Sequence, residues 1–430
     1  MNFKKIQYKW VLVILLWFAF FLHQADRQIY NTVIPLIKDS LGFSNVQLGL
    51  VTTIFTLVYG ILVPFSGYAG DVLRRKWIVF FSLLIFSLGT MFTGISSTLF
   101  MLILFRSVVS GGGEAFYYPA SNSLLGQFHY KSRAMAMSIH QTALYVGIIA
   151  SGFIAGYIGE NYGWRFSFYV FGGAGLLWAV LVAYRLKDSA KNATTQFADS
   201  GKNHKDNGPS KESVQKIPVK EVVYNIFKKR SVWMLCLAFS TMVFVQQGYL
   251  TWMPTFLYED FSLSLSKAGF NAMFYHFILA FFGVLVGGRL SDKWAMKHRK
   301  TRIITEYVGL LMGVPFIFLM GYTNNLVVCY ASLGLFGFFR GIYDSNLFAA
   351  LYDVVDPKYR SSATGVMLAF GFIVGALAPV FLGWVKTAFS LANGISFLSV
   401  FHLIGGILLI TAAKFYYHKD FVVETRENDE

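Results

Sequence analysis

Long runs of apolar residues, separated by short polar stretches, repeat along the whole 430-residue chain. A helix needs about 20 predominantly apolar residues to cross the hydrocarbon core of a bilayer. Hydrophobic residues make up 55% of the chain and charged residues 14%, which excludes a water-soluble globular domain of this length. The pattern predicts twelve membrane spans, near residues 10–37, 46–68, 77–96, 99–122, 134–158, 163–185, 231–257, 266–288, 302–321, 324–350, 361–386 and 392–414.

The only long polar segment divides these spans six and six. Between residues 186 and 230, Lys, Asn, Asp, Ser and Gln dominate and the apolar periodicity is lost. We therefore predict an all-α integral membrane protein with an N-terminal six-helix bundle, a cytoplasmic polar linker, a C-terminal six-helix bundle and a cytoplasmic tail. The predicted boundaries of these four parts are 1–185, 186–230, 231–416 and 417–430.

The distribution of basic residues predicts the orientation. With both termini in the cytoplasm, 30 of the 37 Lys and Arg residues fall in cytoplasmic segments, four fall outside and three lie within spans. This is the positive-inside pattern, and it explains the net charge of +15 without a nucleic-acid partner. We expect a multi-pass protein of a bacterial inner membrane, a monomer surrounded by lipid.

The two halves of the chain resemble each other. The segment from Asp26 to Pro35 aligns with that from Val245 to Pro254, and the segment 67–71 aligns with 288–292 at nearly the same offset. Two matches at a nearly constant offset indicate an internal duplication. Paired bundles of this kind are typical of secondary transporters, in which a central site lies between the halves. The residues that match in the first alignment are Gln28 with Gln247, Tyr30 with Tyr249, Thr32 with Thr251 and Pro35 with Pro254.

The loop after the second span carries a family signature. Gly67, Asp71, Arg75 and Lys76 match the pattern Gly-x-x-x-Asp-(Arg/Lys)-x-Gly-Arg-(Arg/Lys), although Val72 and Arg74 depart from it. With the twelve spans and the duplication, this loop resembles the major facilitator superfamily, which implies two pseudo-symmetric six-helix bundles.

The use of that loop in the family implies a gate. The resemblance implies that Asp71 and Arg75 form a charge-assisted latch on the cytoplasmic side, and it places Gly67 among the gating residues. The second half repeats Gly288 and Asp292 at the corresponding place. The alternative for each acid is a solvated carboxylate in a basic loop.

Two spans carry a narrower resemblance. Ala25-Asp26-Arg27 in the first span, and Arg106, Gly113-Glu114-Ala115 and Pro119-Ala120 in the fourth, are similar to the anion:cation symporters, the branch of sialin and of bacterial hexuronate and aldonate carriers. The resemblance implies proton-coupled symport of an organic anion, with Asp26 and Glu114 as proton-binding residues and Arg27 as a substrate or gating cation.

One spacing departs from that branch. The family has seven residues from the arginine of the fourth helix to the glutamate, whereas Arg106 and Glu114 are eight apart, which places them about 80° apart on an ideal helix. A bulge at the three glycines, Gly111 to Gly113, would absorb the extra residue.

The chemistry of these charged residues also indicates proton and anion binding, independently of the family resemblance. An ionisable group at bilayer depth is costly, so a chain retains one to pair, to bind or to carry protons. Glu114 suits proton binding, because its neutral form is tolerated in the membrane and its charged form needs a partner; the alternative is a permanent ion pair with an arginine. Asp26 and Arg27 lie about 100° apart around a helix, and we assign Arg27 to the cavity.

Further polar residues at mid-span depth extend the predicted substrate site. Arg340 and Asp344 lie four apart in the tenth span and either pair with each other or meet the anion through Arg340. Phenol, imidazole and amide groups recognise the hydroxyl groups of a sugar-like acid, although each is equally a candidate packing contact. The other predicted substrate-binding residues are Tyr30, Arg106, Tyr117, Tyr118, Gln141, Tyr145, Gln246, Gln247, Tyr249, Tyr275 and His276.

The sequence lacks the motifs of several other protein classes. It has no phosphate-binding Gly-x-x-x-x-Gly-Lys-Ser/Thr loop, no His-Glu-x-x-His metal helix and no serine nucleophile elbow, so we predict no enzyme, no cofactor and no metal site.

Three hypotheses stay open: a proton-coupled carrier of a sugar acid such as a sialic acid, a hexuronate or an aldonate; a Spinster-like lipid carrier; and a ligand sensor that does not transport. Na⁺ in place of H⁺ is also open.

Overall fold

Twelve long apolar helices make up the part of the chain that the structure, a computed structural model, describes: residues 7–129, 132–187, 227–295, 298 and 300–422. Each is long and apolar enough to cross a membrane. The all-helical fold and the number of spans predicted from the apolar runs are confirmed. We number the helices α1 (Tyr8–Leu41), α2 (Asn45–Val72), α3 (Arg75–Thr93), α4 (Leu99–Phe128), α5 (Arg133–Tyr162), α6 (Trp164–Arg185), α7 (Arg230–Glu259), α8 (Leu265–Ala295), α9 (Thr301–Tyr322), α10 (Leu326–Val354), α11 (Ser362–Ala388) and α12 (Leu391–Asp420).

The outer surface of the molecule is apolar. Large side chains such as Phe100, Leu177 and Ile61 are more than half exposed on it. Water would make such a surface unfavourable, whereas hydrocarbon chains pack against it without cost. The exposure pattern therefore fits a bundle whose outer face contacts lipid.

Two of the helix pairs that join the N-terminal bundle to the C-terminal bundle depend on glycine. At the α5–α8 pair, a Cβ added to Gly152 would lie 2.4 Å from the carbonyl oxygen of Gly269. At the α2–α11 pair, a Cβ on Gly49 would lie 2.3 Å from the carbonyl oxygen of Pro379. Small residues let helix backbones approach this closely, so both pairs form tight seams.

Both seams lie at the same end of the molecule. Gly156 of α5 packs against the first turn of α8, and Gly383 of α11 packs against the backbone of Asn45 at the start of α2. We call this the closed end; it carries the α1–α2, α5–α6, α7–α8 and α11–α12 connections. The opposite end, which we call the open end, carries the α2–α3, α4–α5 and α10–α11 connections.

Side-chain hydrogen bonds reinforce the seams. The carboxylate of Glu160, near the end of α5, accepts from the backbone N–H of Leu265 and from the hydroxyl of Ser266, 3.4 Å away. Glu160 thereby binds the first turn of α8, whose free N–H groups and positive dipole end favour a carboxylate. Across the other seam, Asn45 Nδ2 donates to Thr387 Oγ1 at 3.3 Å. The closed end is thus held by polar bonds as well as by packing.

Several predicted regions fall outside the described part of the chain. Residues 188–226 of the predicted linker and residues 423–430 of the predicted tail are among them, and the surroundings of Gly67 and Asp71 are also not described. The predicted latch between Asp71 and Arg75 therefore stays a prediction. In the second copy, Gly288 has open space where a side chain would be, and Asp292 is exposed.

Candidate functional site

The adjacent charges of α1, Asp26 and Arg27, lie near the middle of the helix and contact different partners. Successive residues of an α-helix point about 100° apart. Arg27 points between the bundles and keeps 29% of its side chain exposed, whereas Asp26 is turned into the N-terminal bundle and is 2% exposed. One charge thus borders the space between the bundles, and the other lies inside one of them.

Arg27 is bound to the glutamate of α4. Its Nε donates to Glu114 Oε2 at 2.5 Å, and its guanidinium carbon lies 4.1 Å from the centre of the Tyr59 ring and 5.5 Å from that of Phe55. Ion pairing and cation–π contact both stabilise a charged guanidinium. Its Nη2 is buried and has no hydrogen-bond partner among the described residues, so the guanidinium is incompletely hydrogen-bonded.

Glu114 itself is fully buried behind Arg27. Its Oε2 also lies 3.7 Å from His23 Nε2, and that nitrogen donates to the Glu114 carbonyl at 3.1 Å. The Nδ1 of His23 accepts from Gln24 at 3.2 Å, which fixes a neutral tautomer of the ring. The other carboxylate oxygen, Oε1, has no hydrogen-bond partner in the described part of the chain. The charge of Glu114 therefore depends mainly on Arg27.

A second buried ion pair lies beside the first. Arg106 of α4 donates from Nη1 to Asp26 Oδ2 at 2.9 Å, and the hydroxyl of Thr90 donates to Oδ1. The Nη2 of Arg106 also donates to the carbonyl oxygens of Asp26 at 3.2 Å and of Arg27 at 3.3 Å. These bonds fix the backbone of α1 at the point where Arg27 leaves it, so the second pair positions the first.

A π-helical segment explains how α4 presents both Arg106 and Glu114 to α1. Residues Ile103–Ser110 form a π-helix, and Gly111–Glu114 continues as α-helix. Each i→i+5 turn holds one more residue than an α turn. The extra residue between Arg106 and Glu114 is absorbed there, just before the three glycines rather than within them. Both side chains consequently reach α1.

A cavity of about 470 Å³ lies between the two bundles, and its wall is formed by helices from both. A volume of this size suits a small organic ligand. Its polar wall bridges the bundles directly, since Gln247 Nε2 donates to Thr56 Oγ1 at 3.4 Å. The predicted substrate-binding residues that line it are Arg27, Tyr30, Arg106, Tyr118, Gln141, Tyr145, Gln246, Gln247, Arg340 and Asp344.

Four predicted residues lie behind this wall. The hydroxyl of Tyr117 donates to the Leu16 carbonyl at 2.6 Å, and that of Tyr249 donates to the Ala272 carbonyl. Tyr275 stacks on Tyr330 with ring centres 4.6 Å apart. His276 is buried against Arg340. All four contribute to helix packing, and His276 reaches the cavity only through Arg340.

Some polar wall residues were absent from the predicted set. They recur at helical spacing on α1 and α2, on the same faces as Arg27 and Tyr59. A search for polar residues three or four positions from Arg27 would have found His23, Gln24 and Asn31 of α1, but not Gln28. These residues are His23, Gln24, Gln28, Asn31, Thr52, Thr56 and Tyr59.

The C-terminal bundle contributes its own charged pair to the wall. Arg340 Nε lies 3.4 Å from Asp344 Oδ2, and Arg340 Nη1 lies 3.0 Å from His276 Nε2. Because a guanidinium only donates, His276 Nε2 is the acceptor and the ring is neutral. Arg340 Nε lacks an aligned hydrogen bond among the described residues. This arginine, like Arg27, is incompletely bound by its own bundle.

Known proteins similar to this chain are membrane transporters. The family description "Major Facilitator Superfamily" matches residues 16–379. A probable sulfoacetate transporter of Cupriavidus necator is 26% identical over 85% of this chain and 84% of its own length. The hexuronate transporter of Bacillus subtilis is 25% identical over 89% of this chain and 91% of its own.

The fold is also found among solved structures. A bacterial homologue of the human lysosomal transporter Spinster, in an inward-facing and unoccupied conformation, superposes with a TM-score of 0.83 at 21% identity, covering 98% of this chain and all of that one. Since the family match spans most of the sequence, the chain belongs to the Major Facilitator Superfamily, and within it the chain resembles transporters named for organic anions.

Proposed function

We propose that this protein is a proton-coupled symporter that takes up a small organic anion, a sugar acid such as a sialic acid, a hexuronate or an aldonate. The observation that carries the proposal is the contact between Arg27, on the cavity wall, and Glu114, fully buried behind it. The relatives named for sulfoacetate and hexuronate transport support a small anion as the substrate.

Charge balance explains how a proton and an anion bind together. Asp26, Arg27, Arg106 and Glu114 form a group with no net charge while both acids are ionised. In this state Arg27 is neutralised and attracts an anion weakly. A proton on Glu114 leaves one uncompensated positive charge at the wall, where the partly exposed guanidinium of Arg27 can bind the incoming carboxylate.

Asp26 is the second candidate proton-binding residue, with a different consequence. Its carboxylate is bound by Arg106 and Thr90 inside the N-terminal bundle. Protonation of Asp26 would release Arg106, which is 3% exposed at the wall. We therefore assign primary coupling to Glu114 and support of the α1 backbone to Asp26 and Arg106.

Alternating access supplies the rest of the cycle. The closed end is sealed by the glycine seams, while the cavity extends from mid-membrane toward the open end along Tyr118, Gln141 and Val284. Rocking of one bundle against the other would open the seams and close the opposite side. By the positive-inside rule the open end faces the cytoplasm of an inner membrane.

The test compares net uptake with exchange in proteoliposomes. Glu114→Gln is fixed in the neutral form, so uptake driven by a proton gradient should fall to the level of empty vesicles, while exchange of internal for external substrate should persist because it needs no net proton movement. A protonophore should abolish uptake by the unaltered protein. Glu306→Gln is the matched control, since Glu306 is an equally buried acid that does not line the cavity.

Three results would contradict the proposal. Uptake that ignores both the protonophore and Glu114→Gln would overturn proton coupling. Dependence on a Na⁺ gradient alone would replace H⁺ by Na⁺. Binding without any transport of sugar acids would favour the sensor hypothesis. A lipid carrier has support only from the fold shared with the Spinster homologue, whereas the cavity wall carries three arginines and five glutamines.

A further inference from the structure

We infer that the preferred substrate is a dianion, with an acidic group at each end, carried together with two protons. This inference rests on the proposed function and adds the C-terminal half of the site. Arg27 lies on one wall of the cavity and Arg340 on the wall formed by the other bundle. Two guanidinium groups that face one cavity from opposite sides suit a ligand with two separated anionic groups.

Each arginine keeps an unused donor. Arg27 Nη2 and Arg340 Nε are buried nitrogens without a hydrogen-bond partner in the described ranges. An unpaired buried donor is unfavourable in a finished packing contact. Neighbouring groups hold the rest of each guanidinium, with Tyr59 against Arg27 and His276 accepting from Arg340. Both arginines are thus fixed in place and incompletely satisfied.

The carboxylates behind them occupy matching positions in the duplicated fold. Glu114 ends one helical segment of α4, where the N–H of Ala115 bonds back to the carbonyls of Gly111 and Gly113. Asp344 ends a segment of α10 with the same arrangement, in which the N–H of Ser345 bonds back to residues 341 and 343. Each bundle therefore presents an acid at the same helix break, paired with a cavity arginine.

The charges of these pairs determine the ligand. With Glu114 and Asp344 ionised, both pairs are neutral. One proton on each acid leaves a charge of +2 on the two arginines. A dianion neutralises this charge fully, whereas a monoanion leaves one positive charge uncompensated in a partly desolvated cavity, which is costly. Loading with one dianion and two protons is therefore the balanced state.

Substrate pairs that differ only by a carboxylate in place of a CH₂OH group give the test. Three such pairs are galactonate and galactarate, gluconate and glucarate, and isethionate and sulfoacetate. In proteoliposomes we expect the dianion of at least one pair to compete for uptake at least about tenfold better than its monoanion, which corresponds to about 1.4 kcal/mol. Equal competition, or preference for the monoanion throughout, would overturn the inference.

A neutralised variant connects the preference to Arg340. In Arg340→Gln/Asp344→Asn both charges are removed together, and the preference ratio should fall to near one. The control Lys386→Gln/Glu259→Gln removes an ion pair of the same bundle, 2.7 Å long, that does not line the cavity, and it should keep the ratio. Since the ratio compares two substrates on the same vesicles, a partial loss of folded protein does not change it. Persistence of the preference in the first variant would contradict the inference.

Stoichiometry separates this inference from the proposed function. The proton gradient that just balances an opposing substrate gradient should indicate two protons for each dianion, and one proton for each dianion would contradict the inference. Monoanion uptake that depends on Glu114, with one proton and no dianion preference, would refute only the inference. If the protein transports no member of any substrate pair, and Glu114→Gln does not alter uptake, the proposed function itself is refuted.

Discussion

At the scale of single residues, Asp26 and Arg27 show how two neighbours in the chain serve separate pairs. Arg27 binds Glu114 at the cavity, and Asp26 binds Arg106 inside the bundle. The first pair has an exposed side and is open to a ligand. The second has its two side chains 4% and 3% exposed and is closed to one. Both are arginine–carboxylate ion pairs. We assign the first to ligand binding and the second to support of the α1 backbone.

This difference predicts a stability effect for Asp26→Asn. The substitution leaves Arg106 buried and charged, and breaking a buried ion pair on one side costs about 3–5 kcal/mol. We expect a marked fall in the thermal unfolding temperature in detergent. Asp356→Asn should change it little, because the side chains of Asp356 and its partner Lys229 are 48% and 24% exposed and surface ion pairs contribute about 1 kcal/mol or less. Equal shifts for both variants would argue that Asp26 is already neutral in the folded protein.

The sequence predicted the charged residues of the cavity better than its tyrosines. Charges at bilayer depth are rare, so Arg27, Glu114, Arg340 and their partners stand out in the sequence. Tyrosines do not, because Tyr118 borders the cavity while Tyr117 bonds to the α1 backbone. Adjacent positions differ only in which side of the helix they occupy, and helix rotation depends on tertiary packing.

At the scale of secondary structure, the π-helix of α4 is the decisive element. It sets the rotation between Arg106 and Glu114 and so allows both to meet α1. The sequence indicated that one residue had to be absorbed near the glycines. The sequence did not indicate which residues form the π-helical segment. The position of such a segment depends on the partners available to its side chains as well as on local helix propensity.

A deletion tests this role. Removing Val108, which is 43% exposed on the outer face, leaves seven residues from Arg106 to Glu114. Seven residues of regular α-helix return to within about 20° of the starting direction. We expect the deletion to convert the wide turn into α-helix and to retain folded protein and substrate exchange.

The matched control removes Ile85, which is 42% exposed on the regular helix α3. Here a deletion rotates everything beyond it by about 100°, including Thr90, so we expect loss of folded protein by size-exclusion chromatography. If the Val108 deletion unfolds the protein as completely as the Ile85 deletion, the wide turn is not the adjustable element.

At the scale of the whole molecule, the sequence predicted the two duplicated halves. It did not predict which end of the molecule is closed. Repeated segments predicted two bundles, and long apolar runs predicted twelve spans. A carrier adopts states open to either side with the same sequence, so only the packing identifies the closed end. Gly152 and Gly269 meet there, and Glu160 binds across the seam.

Glu160 should therefore influence the equilibrium between states. In Glu160→Ala the first turn of α8 loses its carboxylate acceptor, and we expect more of the state that is open at the end now closed. Spin labels at Tyr162 and Phe389, which are 64% and 70% exposed on different bundles, would report a larger fraction of long distances. The buried Cys236 and Cys329 are replaced beforehand.

Asn161→Ala is the control for this experiment. Asn161 is the next residue of α5, and its side chain bonds at 2.8 Å to Tyr157 within the same helix. We expect its distance distribution to match that of the unaltered protein. An unchanged distribution in Glu160→Ala as well would mean that glycine packing alone holds the closed end.

The most direct measurement of the coupling between Arg27 and Glu114 is proton movement caused by substrate. Proteoliposomes with a trapped pH dye and no imposed gradients receive a transported sugar acid from outside. We predict acidification of the interior with the unaltered protein, and none with Glu114→Gln, which cannot exchange a proton at that position. Substrate-driven acidification that persists in Glu114→Gln, or substrate entry without any acidification in the unaltered protein, would contradict the account.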